Sequence, residues 1–179
     1  FHRRMPEYEA MRARRDWVNL GATDPADTRV GIMGIGAIGG DVAREIARQG
    51  FPVSGWSRTA KKIGGVRCYH GWDQLGDFLA VSDFMLSVLP MTPETEGIID
   101  KNTIAKLPQG AMIANMGRGG QQVEADILAA LESGQLSGAA LDVFQQEPLP
   151  QDSPFWTHPK VLMTPHVAGL SAEHTAVPL

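Results

Sequence analysis

Short apolar runs and segments of helical periodicity take turns along this chain. Residues 29–33 are a brief apolar run that leads into glycines. Residues 38–49 carry Val42, Ala43 and Ile46 on one helical face, and Gly50 stands where a left-handed helix end costs little. The same reading places strands at 52–56, 66–69, 83–89, 111–115, 137–141 and 161–164. It places helices at 72–80 and 124–133, a loop and short helix at 92–97, and a further segment at 101–106. Ahead of these, 6–17 reads as a mostly solvated helix with Pro6 at its start and a thin stripe of Tyr8, Met11 and Trp17. A linker follows at 21–28.

Strands that alternate with helices need long crossovers, which build a parallel sheet covered on both faces. Right-handed crossovers make it an α/β, doubly wound sheet, and ligands of such sheets bind beyond the carboxyl ends of the strands. The chemistry is therefore expected just after strands.

Composition narrows the field further. Apolar residues make up 43% and charged residues 20% of 179, which excludes disordered and fibrous classes. The net charge of −4 gives no reason to expect nucleic acid or an anionic membrane as partner, while small anionic ligands stay open. The single Cys68 cannot form an internal disulfide, fits a reducing, cytoplasmic compartment and reads as a core filler. No apolar run is long enough to span a bilayer. The opening Phe1-His2-Arg3-Arg4-Met5-Pro6 has neither an initiator Met nor a signal-peptide core, so the chain is expected to be a piece of something longer. His2, His70, His158 and His174 lack metal-ligand spacing, and no metal site is expected.

Gly34-Ile35-Gly36-Ala37-Ile38-Gly39 is a G-x-G-x-x-G between a strand and a helix. Its glycines suit a tight turn, close approach of a pyrophosphate and close helix packing, and the helix start offers free N–H groups. A glycine triplet alone is weak; its strand–turn–helix context makes it a phosphate-loop candidate. At the end of the second strand, NAD-preferring sites usually carry an acid for the ribose hydroxyl. Here the stretch is Gly55-Trp56-Ser57-Arg58-Thr59, with Lys61 and Lys62 close behind. Arg58 can pair with a 2′-phosphate or stack on adenine. The bland alternative is a solvated basic turn, but a missing acid together with a present Arg favours NADP(H), with NAD(H) still possible.

Three more strand ends carry polar residues: Arg118 after one, Asp142 and Glu147 after the next, and His166 after the last. Singly, each has an ordinary structural explanation. Together they suit reduction of a 2-keto acid. A His can transfer a proton near neutral pH, a carboxylate beside it fixes its tautomer, and an Arg can hold a substrate carboxylate.

These stretches, with Leu89-Pro90-Met91-Thr92-Pro93-Glu94-Thr95, Glu147-Pro148-Leu149-Pro150 and Thr164-Pro165-His166-Val167-Ala168, resemble the D-isomer-specific 2-hydroxyacid dehydrogenase family, closest to its glyoxylate/hydroxypyruvate reductase A type. The resemblance runs from about Tyr8 to Ala168. It implies catalytic roles for Arg118 (substrate binding), Glu147 (partner of the histidine) and His166 (proton donor). It implies cofactor contacts at Gly34, Gly36, Ala37, Ile38, Gly39, Trp56, Ser57, Arg58, Leu89, Pro90, Thr95, Met116, Gly117, Arg118, Asp142 and His166. Asp142 is similar to the residue that contacts the nicotinamide amide.

The resemblance further implies an arm and hinge helix at 1–20 that packs between subunits of a homodimer, a Rossmann cofactor domain at 21–170, and the start of a truncated C-terminal segment at 171–179. The family's flavodoxin-like substrate domain is largely absent from these residues, so the chain alone is expected to be nearly inactive. Two other classes stay in view. A dinucleotide-binding regulatory module would lack turnover, and a 3-hydroxyacid dehydrogenase would use a Lys and lack the Thr-Pro-His ending.

Overall fold

A computed structural model describes residues 2–21 and 23–170. The expected segment at 171–179 lies outside the described residues. Seven strands form one sheet: β1 (Val30–Met33), β2 (Val53–Ser57), β3 (Val66–His70), β4 (Phe84–Ser87), β5 (Ala111–Asn115), β6 (Leu136–Leu141) and β7 (Val161–Met163). Every pairing is parallel and the order is β3-β2-β1-β4-β5-β6-β7. The chain winds outward from β1 to β3, then returns to the other side of β1 to start β4. That reversal opens a crevice above the carboxyl ends of β1 and β4, where ligands of doubly wound sheets bind.

Strand alternation divides the core. Ile32 and Met33 are both fully buried, and they lie on opposite faces of β1. On one face Ile32 joins Val30, Val53 and Ala114 beneath α2 (Ala37–Arg48), which contributes Ala43, Val42 and Ile46. On the other, Met33, Trp56 and Ile113 pack with residues of α3 (Leu75–Ala80), α4 (Lys101–Ile104) and α5 (Glu124–Ser133). Partly buried Cys68 packs on the α2 side.

The elements differ from the sequence pattern at their ends, for local reasons. The first helix, α1, is Met5–Arg14 and not 6–17, because Arg15 turns left-handed (φ 61°) and its N–H closes on Arg12 O. None of its residues is buried. The helix expected from 72 begins only at Leu75. Gly71 (φ +71°) makes a turn there, and the Gln74 side chain accepts the His70 N–H at 2.8 Å. No helix forms at 92–97. The Thr95 hydroxyl accepts the Thr92 N–H and donates to Pro90 O, both at 2.8 Å, and so closes a tight loop. The linker holds one helical turn at Pro25–Asp27, capped by Asp24 through the Ala26 N–H.

Candidate active site

The glycine turn joins β1 to α2. Gly34 has φ +111°, and its N–H bonds Trp56 O on the neighbouring strand at 2.8 Å. A Cβ on Gly39 would lie 2.0 Å from Gly34 O, so only glycine lets α2 start this close to the strand. Among the described residues a Cβ on Gly36 would meet nothing within 4 Å, so the backbone there faces open space. No side chain caps α2, and its first turn holds no acid. Free N–H groups, the positive end of the helix dipole and room at Gly36 together fit a dinucleotide pyrophosphate.

A cleft of ≈ 1140 Å³ runs over this turn. It is lined by Gly34, Gly36, Ala37, Ile38 and Gly39, by Trp56, Ser57 and Arg58, by Leu89, Pro90 and Thr95, and by Met116, Gly117 and Arg118. Asp142 and His166 are not on its wall, although Ala168 and Gly169 are. A second groove, on the arm, is lined by Tyr8, Met11, Trp17 and their neighbours and contains none of the expected site residues.

The other end of the site is a web of side chains. His166 sits at φ 55°, a conformation unfavourable outside glycine, with its N–H on Asp142 O at 2.7 Å. Its Nδ1 lies 2.7 Å from Glu147 Oε2, which leaves Nε2, among the described residues, as the ring nitrogen free to face a ligand. Glu147 Oε1 in turn accepts the Phe144 N–H at 2.9 Å. Burial opposes ionisation of Glu147, but the bonds from His166 and Phe144 outweigh it and hold its carboxyl below the usual range.

Asp142, only 4% exposed, spends its carboxylate on the chain itself. It accepts the Thr164 hydroxyl and, at 2.9 Å each, the N–H groups of Val167 and Ala168. Burial pushes its pKa up; those bonds and the nearby His166 push harder the other way, and the net direction is down. In the structure Asp142 is thus a clamp on the loop that carries His166. The sequence reading had placed it against a nicotinamide amide.

Arg118 is exposed beyond β5, and among the described residues its guanidinium makes no ion pair, only a 2.7 Å bond to Gly117 O. Its backbone is held by residues that the sequence reading did not single out. Buried Gln121 accepts the Arg118 N–H (3.1 Å) and donates to Leu89 O and Pro90 O (2.9 and 3.0 Å). Buried Asn115 donates to Arg118 O and to the Gln122 side chain, whose amide reaches Val143 O. Two adjacent amides directly after Arg118-Gly119-Gly120, Gln121-Gln122, were the available signal. The arrangement provides a guanidinium free for an anion, a carboxylate-backed imidazole for proton transfer and a glycine turn for phosphates.

The known proteins most similar to the chain agree on its kinship. The family described as D-isomer specific 2-hydroxyacid dehydrogenase, NAD binding domain, matches residues 1–168. A glyoxylate/hydroxypyruvate reductase A from Photorhabdus laumondii is 43% identical over 175 residues, which are 98% of this chain and 56% of that protein. The structure of a D-isomer specific 2-hydroxyacid dehydrogenase from Xanthobacter autotrophicus, in complex with NADPH and MES, superposes with a TM-score of 0.94 at 43% identity, over 98% of this chain and 72% of that one. An NADPH-dependent glyoxylate/hydroxypyruvate reductase from Sinorhizobium meliloti, in complex with NADP and sulfate, gives 0.91 at 46% identity, over 95% and 55%. The chain spans about 56% of the length of the curated relatives it matches. With its parallel sheet, glycine turn and strand-end side chains, it belongs to the D-isomer specific 2-hydroxyacid dehydrogenase family.

Proposed function

We propose that these residues form the cofactor side of an oxidoreductase that reduces a small 2-keto acid such as glyoxylate or hydroxypyruvate, using NADP(H) in preference to NAD(H). The observation that carries this reading is the 2.7 Å His166–Glu147 pair beyond β6 and β7, together with an Arg118 beyond β5 that forms no ion pair among the described residues. The names of the reductases from P. laumondii and S. meliloti point to the same substrates, and that of the S. meliloti protein to the same cofactor.

Bound NADPH supplies a hydride to the carbonyl carbon. Arg118 holds the substrate carboxylate in its fork and polarises the carbonyl. His166, through Nε2, donates the proton to the carbonyl oxygen. Glu147 fixes the tautomer at Nδ1 and stabilises the imidazolium that re-forms afterwards. Asp142 holds the His166 loop in place, and its nicotinamide-amide contact stays part of the proposal. Arg58 takes the 2′-phosphate, with Ser57 at the same turn free to join it only by leaving Thr59 O, and the glycine turn takes the pyrophosphate. The His166 side chain is 42% exposed, so turnover needs a further protein surface to cover the cleft and exclude water.

The proposed division is an arm at 1–20, the cofactor domain at 21–170 and the start of a returning segment at 171–179. The protein is proposed to be cytoplasmic, in keeping with its single cysteine, and homodimeric through the arm and the cofactor domain, with Trp17 of the arm fully exposed. Among the described residues no helix is long and apolar enough to cross a membrane.

The test is glyoxylate- or hydroxypyruvate-dependent oxidation of NADPH by the native protein and by His166→Ala. Turnover should fall about 100-fold or more in the variant while NADPH affinity stays within about twofold. NADPH binding without turnover in either protein would favour a regulatory dinucleotide module.

A further inference from the structure

We infer that Trp72 determines cofactor specificity, its indole N–H donating to the 2′-phosphate of NADP(H). The inference rests on the NADP(H) reading above and adds a residue that the Ser57-Arg58 motif does not contain.

Trp72 is a large aromatic left 47% exposed, yet it is firmly placed. Its ring packs on the buried Trp56 ring, with centroids 5.2 Å apart at 50°. Trp56 Nε1 donates to Gly71 O at 2.8 Å, and the Gly71 N–H returns to Ser57 O at 3.1 Å. These two bonds lock the turn after β3 onto the end of β2. The strand register already pairs Ser57 with His70, so Trp72 stands two residues past the partner of the cofactor-selecting serine. The Leu75 N–H closes the turn on Trp72 O at 3.3 Å. Gly71 sits at φ +71°, a backbone conformation that favours glycine, so the turn is built around that residue.

The result is an indole on the wall of the cleft, beside Ser57, Arg58, Thr59 and Lys61. Trp56 and Trp156 donate their ring N–H groups to Gly71 O and Pro150 O, at 2.8 Å each. The Trp72 N–H makes no hydrogen bond among the described residues. The Ser57 hydroxyl is already turned to Thr59 O at 2.8 Å. A doubly charged phosphate entering between Arg58 and Lys61 needs several donors, and a pre-ordered indole N–H supplies one at little entropic cost.

The test is calorimetric titration of the chain with two probes, 2′,5′-ADP and 5′-AMP, which differ only by the phosphate in question. Trp72→Phe keeps a ring and removes the donor; Arg58→Ala serves as reference. The native protein should prefer 2′,5′-ADP. Trp72→Phe should weaken 2′,5′-ADP about tenfold, the size of a lost bond to a charged group, and leave 5′-AMP within about twofold. An unchanged 2′,5′-ADP affinity, or an equal loss for both probes, would overturn the role of Trp72. Equal affinity of the native protein for both probes would instead overturn the NADP(H) preference itself, and this role with it.

Discussion

The two ends of the cleft are built on opposite plans. At the β1–β2 end the binding surface is backbone and open space: among the described residues a Cβ on Gly36 would meet no atom within 4 Å, and no side chain caps the helix behind it. At the β5–β7 end, buried polar side chains hold the backbone that carries the reactive groups. Asp142, Gln121, Gln122 and Asn115 are all buried and all hydrogen-bonded. The difference follows from what each end must meet. A pyrophosphate is large and charged, and is served by N–H groups and room. A proton transfer needs a ring nitrogen held in one place, and that takes a supporting network.

Swapping single atoms at equivalent places sharpens this contrast most. Gly119 and Gly36 both stand at a strand end, yet a Cβ on Gly119 would lie 1.8 Å from Phe144 O, in the backbone of the β6 exit. Gly119→Ala should cost about 3 kcal/mol or more in chemical denaturation. Gly36→Ala should change stability by less than about 1 kcal/mol and yet weaken NADPH binding tenfold or more, because its methyl occupies the open space. Similar stability losses in both would end the distinction.

Asp142→Asn comes next. The amide presents one acceptor and a donor where three donors converge, so about 1–3 kcal/mol should be lost, read as a lower Tm. An unaltered Tm would mean that the His166 loop is held by something else. At the opposite end, Arg58→Ala should leave Tm within a degree or two and weaken NADPH about tenfold, with NADH affected less. Equal losses for the two cofactors would make Arg58 an adenine contact.

The smallest effect is in pH. Asp142 and Glu147 both have native pKa values below their ordinary ones. Their stabilisation is therefore complete above the ordinary carboxylate range and is lost as pH falls through the lowered native values. The native protein should lose stability on acidification more steeply than Glu147→Gln, in unfolding curves taken from neutral pH downward. Parallel curves would show that the pair contributes nothing to the fold.

Much of this was legible in the residues. The alternation of apolar runs with helical periods predicts a doubly wound parallel sheet, and the sheet is there, because both periods are imposed by backbone geometry that every residue obeys. Element ends were less legible. The helix expected at 72–80 starts late because Gly71 and the Gln74 side chain make a turn first, a decision taken by contacts with β2.

What the sequence determined by itself was the order of strands and helices along the chain, the glycine turn, the absence of an acid after β2, and the position of Arg118, Glu147 and His166 just after strands. Each is written in local spacing or residue type. Tertiary structure alone decided which strand ends share a cleft, that Asp142 turns its carboxylate to the loop of His166, that Gln121 ties Arg118 to Leu89 and Pro90, and that Trp72 stands beside Ser57. These are contacts between residues far apart along the chain. Their partners are set by the 3.1–2.7 Å reach of hydrogen bonds across packed strands, which no local pattern encodes.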